Sequence, residues 1–236
     1  MSASLKNSYR ELRLILGDQL NHSHSWYREA HQDVLYVVAE LHQETDYVKH
    51  HVQKVCAFFA AMQAFAEWLG ERDHPILHLT LDDTAKQKNL PDLIASLCKK
   101  YRVSQFSYQR PDEYRLLTQL RDLKLPEDIA IKEHDSEHFL LPFEEIEQQF
   151  PRGKSLRMES FYRKMRKRHD LLMDGSQPLG ERWNFDADNR QRLKGDDIDA
   201  LPTPKTLRND VGEIVERLEK HQVNTFGIAK NPLPWP

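Results

Sequence analysis

The chain has 236 residues, 39% hydrophobic and 30% charged, with a formal net charge of -3. That length suits one large domain or one domain with a substantial appendage. No apolar run approaches the roughly 20 residues of a membrane span, and Met1–Ser8 carries no signal-peptide core, so cytoplasm is the default expectation and no membrane partner is expected. Two distant cysteines, Cys56 and Cys98, make neither a disulfide framework nor a metal knuckle and read as small buried residues.

Residues 1–150 alternate short apolar runs with helical patterns. The expected strands are 12–16, 34–39, 76–81, 105–108 and 129–131. Their interiors hold few polar residues, as in a sheet covered on both faces. A stripe from Val48 to Leu69 predicts one long helix over 45–71, with Gly70 placed as its C-cap. Further helices are expected over 90–101, with Pro91 in the first turn, and over 111–123, where Pro111-Asp112-Glu113 puts acids at the positive end of the dipole. The expected fold class is α/β: a doubly wound, mainly parallel five-stranded sheet, Rossmann-like, with ligands beyond the carboxyl ends of the strands.

Composition shifts after Phe150-Pro151-Arg152-Gly153. Residues 155–172 predict a basic amphipathic helix, and from Lys154 to Arg168 the cations Lys154, Arg157, Arg163, Lys164, Arg166, Lys167 and Arg168 stand against Glu159 alone. An irregular stretch over 173–204 and a last helix over 206–221 follow, before the ending Asn231-Pro232-Leu233-Pro234-Trp235-Pro236. The expected division is therefore 1–150 for the α/β domain and 151–236 for a basic helix, irregular linker and terminal helix.

Several residues carry two readings. At the end of the first strand, Gly17, Asp18 and Gln19 are either a ligand-contacting turn or a simple β-to-α turn capped by Asp18. Glu44 and Tyr47 sit at the same sheet edge, as ligand acceptor and stacking ring, or as a helix N-terminal acid and a half-buried aromatic. Asp82 and Asp83 follow the third strand and either face that edge or cap the next segment. Phe58 and Phe59 read as core, with one ring able to wall a pocket. His50 and His51 lie about 100° apart on a helix, unlike an i, i+4 ligand pair, so no metal site is expected. The sequence contains no Gly-x-Ser-x-Gly elbow, no P-loop and no Gly-x-Gly-x-x-Gly fingerprint, and no catalytic residue is assigned.

Four stretches together resemble a known family. They are Leu16-Gly17-Asp18-Gln19-Leu20, residues 44–54 (Glu-Thr-Asp-Tyr-Val-Lys-His-His-Val-Gln-Lys), residues 154–166 (Lys-Ser-Leu-Arg-Met-Glu-Ser-Phe-Tyr-Arg-Lys-Met-Arg), and residues 182–190 (Arg-Trp-Asn-Phe-Asp-Ala-Asp-Asn-Arg). In this order they resemble the photolyase-related proteins, the bacterial iron–sulfur branch of the cryptochrome/photolyase superfamily. The resemblance implies that the α/β part is an antenna domain for 6,7-dimethyl-8-ribityllumazine, with Gly17, Asp18, Gln19, Glu44, Tyr47, Asp82 and Asp83 as candidate contacts.

It also implies light-driven DNA repair, a carbon–carbon lyase reaction, or blue-light sensing for the intact family protein. FAD and an iron–sulfur (4Fe-4S) cluster belong to a C-terminal helical domain, which is expected to be missing from this chain, leaving it inactive alone. Two cysteines do not replace four thiolate ligands. DNA is the implied partner of the intact protein, with Lys154, Arg163, Lys167 and Arg190 as candidate phosphate contacts. The basic helix is otherwise a solvated face or a surface docked on that helical domain, and Arg190 otherwise pairs with Asp186 or Asp188. Trp183 reads as a packing anchor. The rival readings are a nucleotide-binding α/β module and a non-enzymatic DNA- or protein-interaction domain.

Overall fold

The computed structural model describes residues 5–234. Met1–Ser4 and the Trp235-Pro236 ending lie outside the described residues. The chain forms two compact units, one from residues up to 138 together with 206 onward, the other from 139–205.

In the first unit the elements run β1 (Glu11–Ile15), β2 (Val34–Ala39), α1 (His42–Asp46), β3 (His50–His51), α2 (Val52–Gly70), β4 (Ile76–Leu79), α3 (Leu81–Thr84), α4 (Leu90–Lys100), β5 (Gln105–Gln109), α5 (Tyr114–Arg121) and β6 (Ala130–His134). The main sheet has five strands in the order β4-β2-β1-β5-β6, and all four pairings are parallel. This is the expected doubly wound α/β fold.

Alternation along the strands feeds two cores. Leu12, Leu14, Leu35, Val37, Phe106 and Tyr108 pack with α4 and α5. Ile15, Val34, Tyr36 and Val38 turn the other way and meet α2. Cys98 lies in the first core and Cys56 in the second, both buried. Local chemistry sets the helix ends. Asn89 caps α4 by accepting from the Asp92 N–H at 2.8 Å, Pro91 stands in its first turn, and Lys99 and Lys100 close its last.

The long helix expected over 45–71 is divided. Tyr47–Lys49 break it, β3 pairs in parallel with β9 (Thr225–Phe226), and the His51 side chain caps α2 by accepting from the Gln53 N–H at 3.2 Å. A pairing partner more than 170 residues away outweighs local helix propensity here. Gly70 is the last residue of α2 rather than its C-cap; the left-handed residue is Asp73, at φ 60°. The acids before the fifth helix also fall outside it, since α5 starts at Tyr114 with Glu113 as N-cap.

The second unit holds α6 (Ile146–Gln149), α7 (Met158–Arg168), a two-stranded antiparallel ribbon of β7 (Met173–Asp174) and β8 (Gln177–Pro178), and α8 (Gly195–Asp199). The basic helix is thus shorter than expected. After it the chain rejoins the first unit: α9 (Gly212–Lys220) buries Ile214 and Leu218 beside Val211 and Leu233 in the α2 core. That return replaces the expected boundary near 150. Residues 206–211 are not helical because Asn209 bridges to Leu233. No helix among the described residues is long and apolar enough to cross a membrane.

Candidate functional site

The carboxyl ends of β1 and β2 open into a crevice of about 300 Å³. Its apolar lining comes from Leu14, Leu16, Ala39 and Leu41 at the strand ends, Val55, Phe58, Phe59 and Met62 on α2, and Leu90 and Leu116. Gly17, Asp18, Glu44, Tyr47, His50, Lys54 and Glu113 add the polar positions. A small, mainly apolar concavity with a few convergent polar groups at strand ends is the form of a small-molecule site.

Gly17 is there for contact. A Cβ at this position would stand 3.0 Å from Met62 Sδ and 3.3 Å from Phe58 Cδ1, so the bare backbone lets α2 close onto the turn. Phe58 walls the crevice and is 40% exposed, as a ring at a mouth would be. Asp18 is open to the crevice yet ringed by protein. That surrounding burial pushes its carboxyl above the usual aspartate range, the charges of Asp112 and Glu113 add to the rise, and its own backbone N–H opposes it.

Glu44 lies in the first turn of α1 and Tyr47 follows α1. Arg115 on α5 ties both to the opposite wall. Its guanidinium reaches Glu44 at 2.8 and 3.2 Å and Glu113 at 2.8 and 2.9 Å, and sits 4.4 Å over the Tyr47 ring. In the sequence Glu113 reads only as an acid at a helix start, and neither Arg115 nor Leu116 is singled out. Their place follows from the strand order: β5 neighbours β1 at the sheet's topological switch point, so the segment after β5 flanks the turn after β1.

Three expected contacts are placed elsewhere. Gln19 is 1% exposed and points away from the crevice lining: its Oε1 accepts the Leu16 N–H at 3.2 Å and its Nε2 donates to Gln109 O at 3.1 Å, stapling the end of β1 to the end of β5. Asp83 closes a capping box, accepting from the Thr80 N–H at 2.9 Å and the Thr80 hydroxyl at 3.1 Å. Asp82 meets Lys220 Nζ at 2.7 Å and His221 Nε2 at 2.6 Å, and these bonds hold its carboxyl below the usual range. Both aspartates follow β4, the edge strand, one strand removed from the β1–β2 ends that line the crevice.

In the second unit, Lys154, Arg163, Lys167 and Arg190 are all exposed. Trp183 is the anchor of this unit: Arg163, Arg166 and Lys167 approach its ring at 5.2, 5.4 and 5.4 Å. Arg166 is buried and donates to the carbonyls of Leu171, Leu172 and Trp183. Arg163 also bonds Glu159 at 2.9 Å. The ion pair expected at the Asn-Arg string involves a different arginine, because Asp188 bonds Arg182 at 2.9 Å.

Comparison with known proteins agrees with this fold. The family model described as deoxyribodipyrimidine photo-lyase-related protein matches residues 13–233. A (6-4) photolyase from Agrobacterium fabrum is 32% identical over 227 residues, covering 93% of this chain and 45% of that protein. An uncharacterized protein of Acanthamoeba polyphaga mimivirus is 25% identical over 152 residues, 62% of this chain and 74% of that protein. The chain thus spans less than half the length of the photolyase it matches. With a family model covering nearly all of the described residues, the chain belongs to the deoxyribodipyrimidine photo-lyase-related protein family.

Proposed function

We propose that the α/β unit is the antenna part of a photolyase-related protein and that its strand-end crevice holds 6,7-dimethyl-8-ribityllumazine, in the service of light-driven DNA repair or blue-light sensing. The observation that carries this reading is the crevice itself: α2 offers Phe58, Phe59 and Met62 to a flat ring, while Asp18, Glu44 and Glu113 offer acceptors to ring N–H and ribityl hydroxyl groups. The residues fit such a group in size and chemistry. Such a chromophore, when bound, absorbs light and passes the excitation to a flavin.

This chain's own residues orient it. Gly17 keeps α2 close, Arg115 fixes Glu44 and Tyr47, and the apolar lining excludes water. No bond-making step is assigned to them. Neither FAD nor a 4Fe-4S cluster is assigned to residues of this chain, and Cys56 and Cys98 lie in cores on opposite faces of the sheet, where they cannot share a cluster.

A second proposal concerns residues 139–205. The exposed Lys154, Arg163, Lys167 and Arg190 form a nucleic-acid contact through phosphates, supported by the excess of cations on and around α7.

The antenna reading is tested by titrating the purified chain with 6,7-dimethyl-8-ribityllumazine and following absorption and fluorescence. Saturable 1:1 binding is expected. A folded protein that leaves the lumazine spectrum unchanged overturns the reading.

A further inference from the structure

We infer that the crevice admits uncharged heteroaromatic ligands and rejects their phosphorylated forms, with Asp18 as the residue that sets the discrimination. The inference rests on the antenna reading and names the ligand class of the same site.

Two independent observations carry it. The first is the turn after β1. In α/β folds that bind nucleotides, this turn offers backbone N–H groups and the start of a helix to a phosphate. Here the Leu16 N–H goes to Gln19 Oε1 at 3.2 Å and the Gln19 N–H goes to Leu16 O at 2.9 Å. Gln19 is itself held by Gln109 O, so the turn is locked in this form. No α-helix follows it; the next helical element is a 3-10 turn at Ser25–Tyr27. Two of the turn's N–H groups are thus spent inside it, and no α-helix start stands where the fold class supplies an anion cradle.

The second observation is the charge inventory. Four carboxylates line the crevice: Asp18, Glu40, Glu44 and Glu113. Glu40 is neutralised by Arg217 at 2.9 Å. Glu44 and Glu113 share the single cation of Arg115. Asp112 stands beside Asp18 and is bonded to His138 at 3.0 Å. The lining cation is Lys54, whose Nζ lies 3.2 Å from His50 Nδ1 and 5.6 Å over the Phe58 ring. Burial of His50, with the Lys54 charge beside it, pushes that imidazole below its usual range. The balance around Asp18 is therefore negative. A carboxylate there accepts from a ribityl hydroxyl, and repels a phosphate dianion carried at the end of the same ribityl chain. At an effective dielectric near 20, like charges about 5 Å apart weaken binding by about tenfold or more.

The test compares 6,7-dimethyl-8-ribityllumazine with its 5′-phosphate, by fluorescence titration of the full chain at low salt, for the unchanged protein and Asp18→Asn. The phosphate is expected to bind about tenfold or more weakly than the neutral lumazine. The ratio of the two affinities should fall to about threefold or less in Asp18→Asn, and should fall in the unchanged protein as salt is added. The salt series decides the matter if the variant does not fold. Equal affinity for the two ligands in the unchanged protein overturns the inference and leaves the antenna reading standing. A ratio unchanged by both Asp18→Asn and salt overturns it as well. Failure of the neutral lumazine to bind removes the antenna reading and this inference together.

Discussion

Arg217 on α9 donates to Glu40 at the carboxyl end of β2, Nη2 to Oε1 at 2.9 Å and Nε to Oε2 at 3.0 Å. Glu40 also accepts the Leu81 N–H at 2.9 Å, so one fully buried carboxylate joins β2, α3 and α9. Glu40 lines the crevice, and its bond to Arg217 fastens the returning C-terminal segment to the sheet. Burial pushes the Glu40 carboxyl up against the opposing pull of Leu81 and Arg217, which measures how much the ion depends on those partners.

Arg217→Ala leaves that carboxylate buried without its cation. The expected loss is about 3 kcal/mol of unfolding free energy, read by denaturant titration. Arg217→Met with Glu40→Gln should cost clearly less than the sum of the two single changes. Additive losses would mean that the two side chains do not act as a pair.

Gly17→Val should push Met62 and Phe58 into the crevice, because the added Cβ meets them at 3.0 and 3.3 Å. The expected stability cost is about 1 kcal/mol. Lumazine affinity should fall about tenfold, the equivalent of roughly 1.4 kcal/mol. Unaltered affinity in a folded variant would place the ligand elsewhere.

Gly227 has φ 85°, and a Cβ there would stand 2.1 Å from His51 Nε2. The Phe226 ring packs 5.1 Å from His51, and Gln53 Nε2 donates to Ile228 O at 3.2 Å. Gly227→Ala must therefore displace the residue that caps α2. A loss of about 1–3 kcal/mol is expected in thermal or denaturant unfolding. His51→Ala combined with Gly227→Ala should remove the steric part and leave the backbone part; if the double variant is no more stable than the sum predicts, the contact is not the cause.

Glu133 links pH to stability at the far edge of the sheet. Arg121 bonds it at 2.6 and 2.8 Å, and Tyr108 donates to it at 3.0 Å. The Arg121 bond, opposed by burial, holds the Glu133 carboxyl below the usual glutamate range. Since the folded value is depressed, its contribution is present above the unfolded value near 4.3 and is lost as pH falls through the folded one. The side chains are partly exposed, so Glu133→Gln should cost no more than about 1 kcal/mol at pH 7. At an acid pH below the folded value the cost should vanish. An equal cost at both pH values would exclude linkage to this group. On the alkaline side, burial with help from Glu133 pushes Tyr108 up to about 12. That group's contribution is whole below about 10 and falls as pH rises toward 12.

Replacing Lys154 and Arg190 with Gln removes two candidate phosphate contacts from exposed positions. Binding to duplex DNA should weaken, and the slope of log affinity against log salt should shallow by about two. Far-UV circular dichroism should stay the same, since neither side chain is buried. An unaltered slope would return this surface to the role of a solvated face.

The strands were legible from periodicity: 34–39 was read to the residue, and the first strand was displaced by one. The helix from Leu90 was equally clear, because Asn89, Pro91 and the closing lysines are local signals. Gly17, Asp18, Glu44 and Tyr47 were readable as crevice residues because each follows a strand that ends at the same edge. Gln19 was not, since its side chain is claimed by Gln109, on a strand 90 residues later. Asp82 was claimed likewise by Lys220 and His221.

Sequence alone outlined the five strands of the main sheet and the helix from Leu90, and therefore a parallel sheet whose carboxyl edge is the candidate site. Only the tertiary structure decided that β5 lies beside β1, which brings Glu113 and Arg115 to the crevice. It also decided that α9 and β9 return to divide the long helix at Tyr47–Lys49 and move the unit boundary. The physical reason is that a hydrophobic pattern reports which face of a segment is buried. It does not report the partner, because pairing is set by backbone groups and side chains far away in the chain.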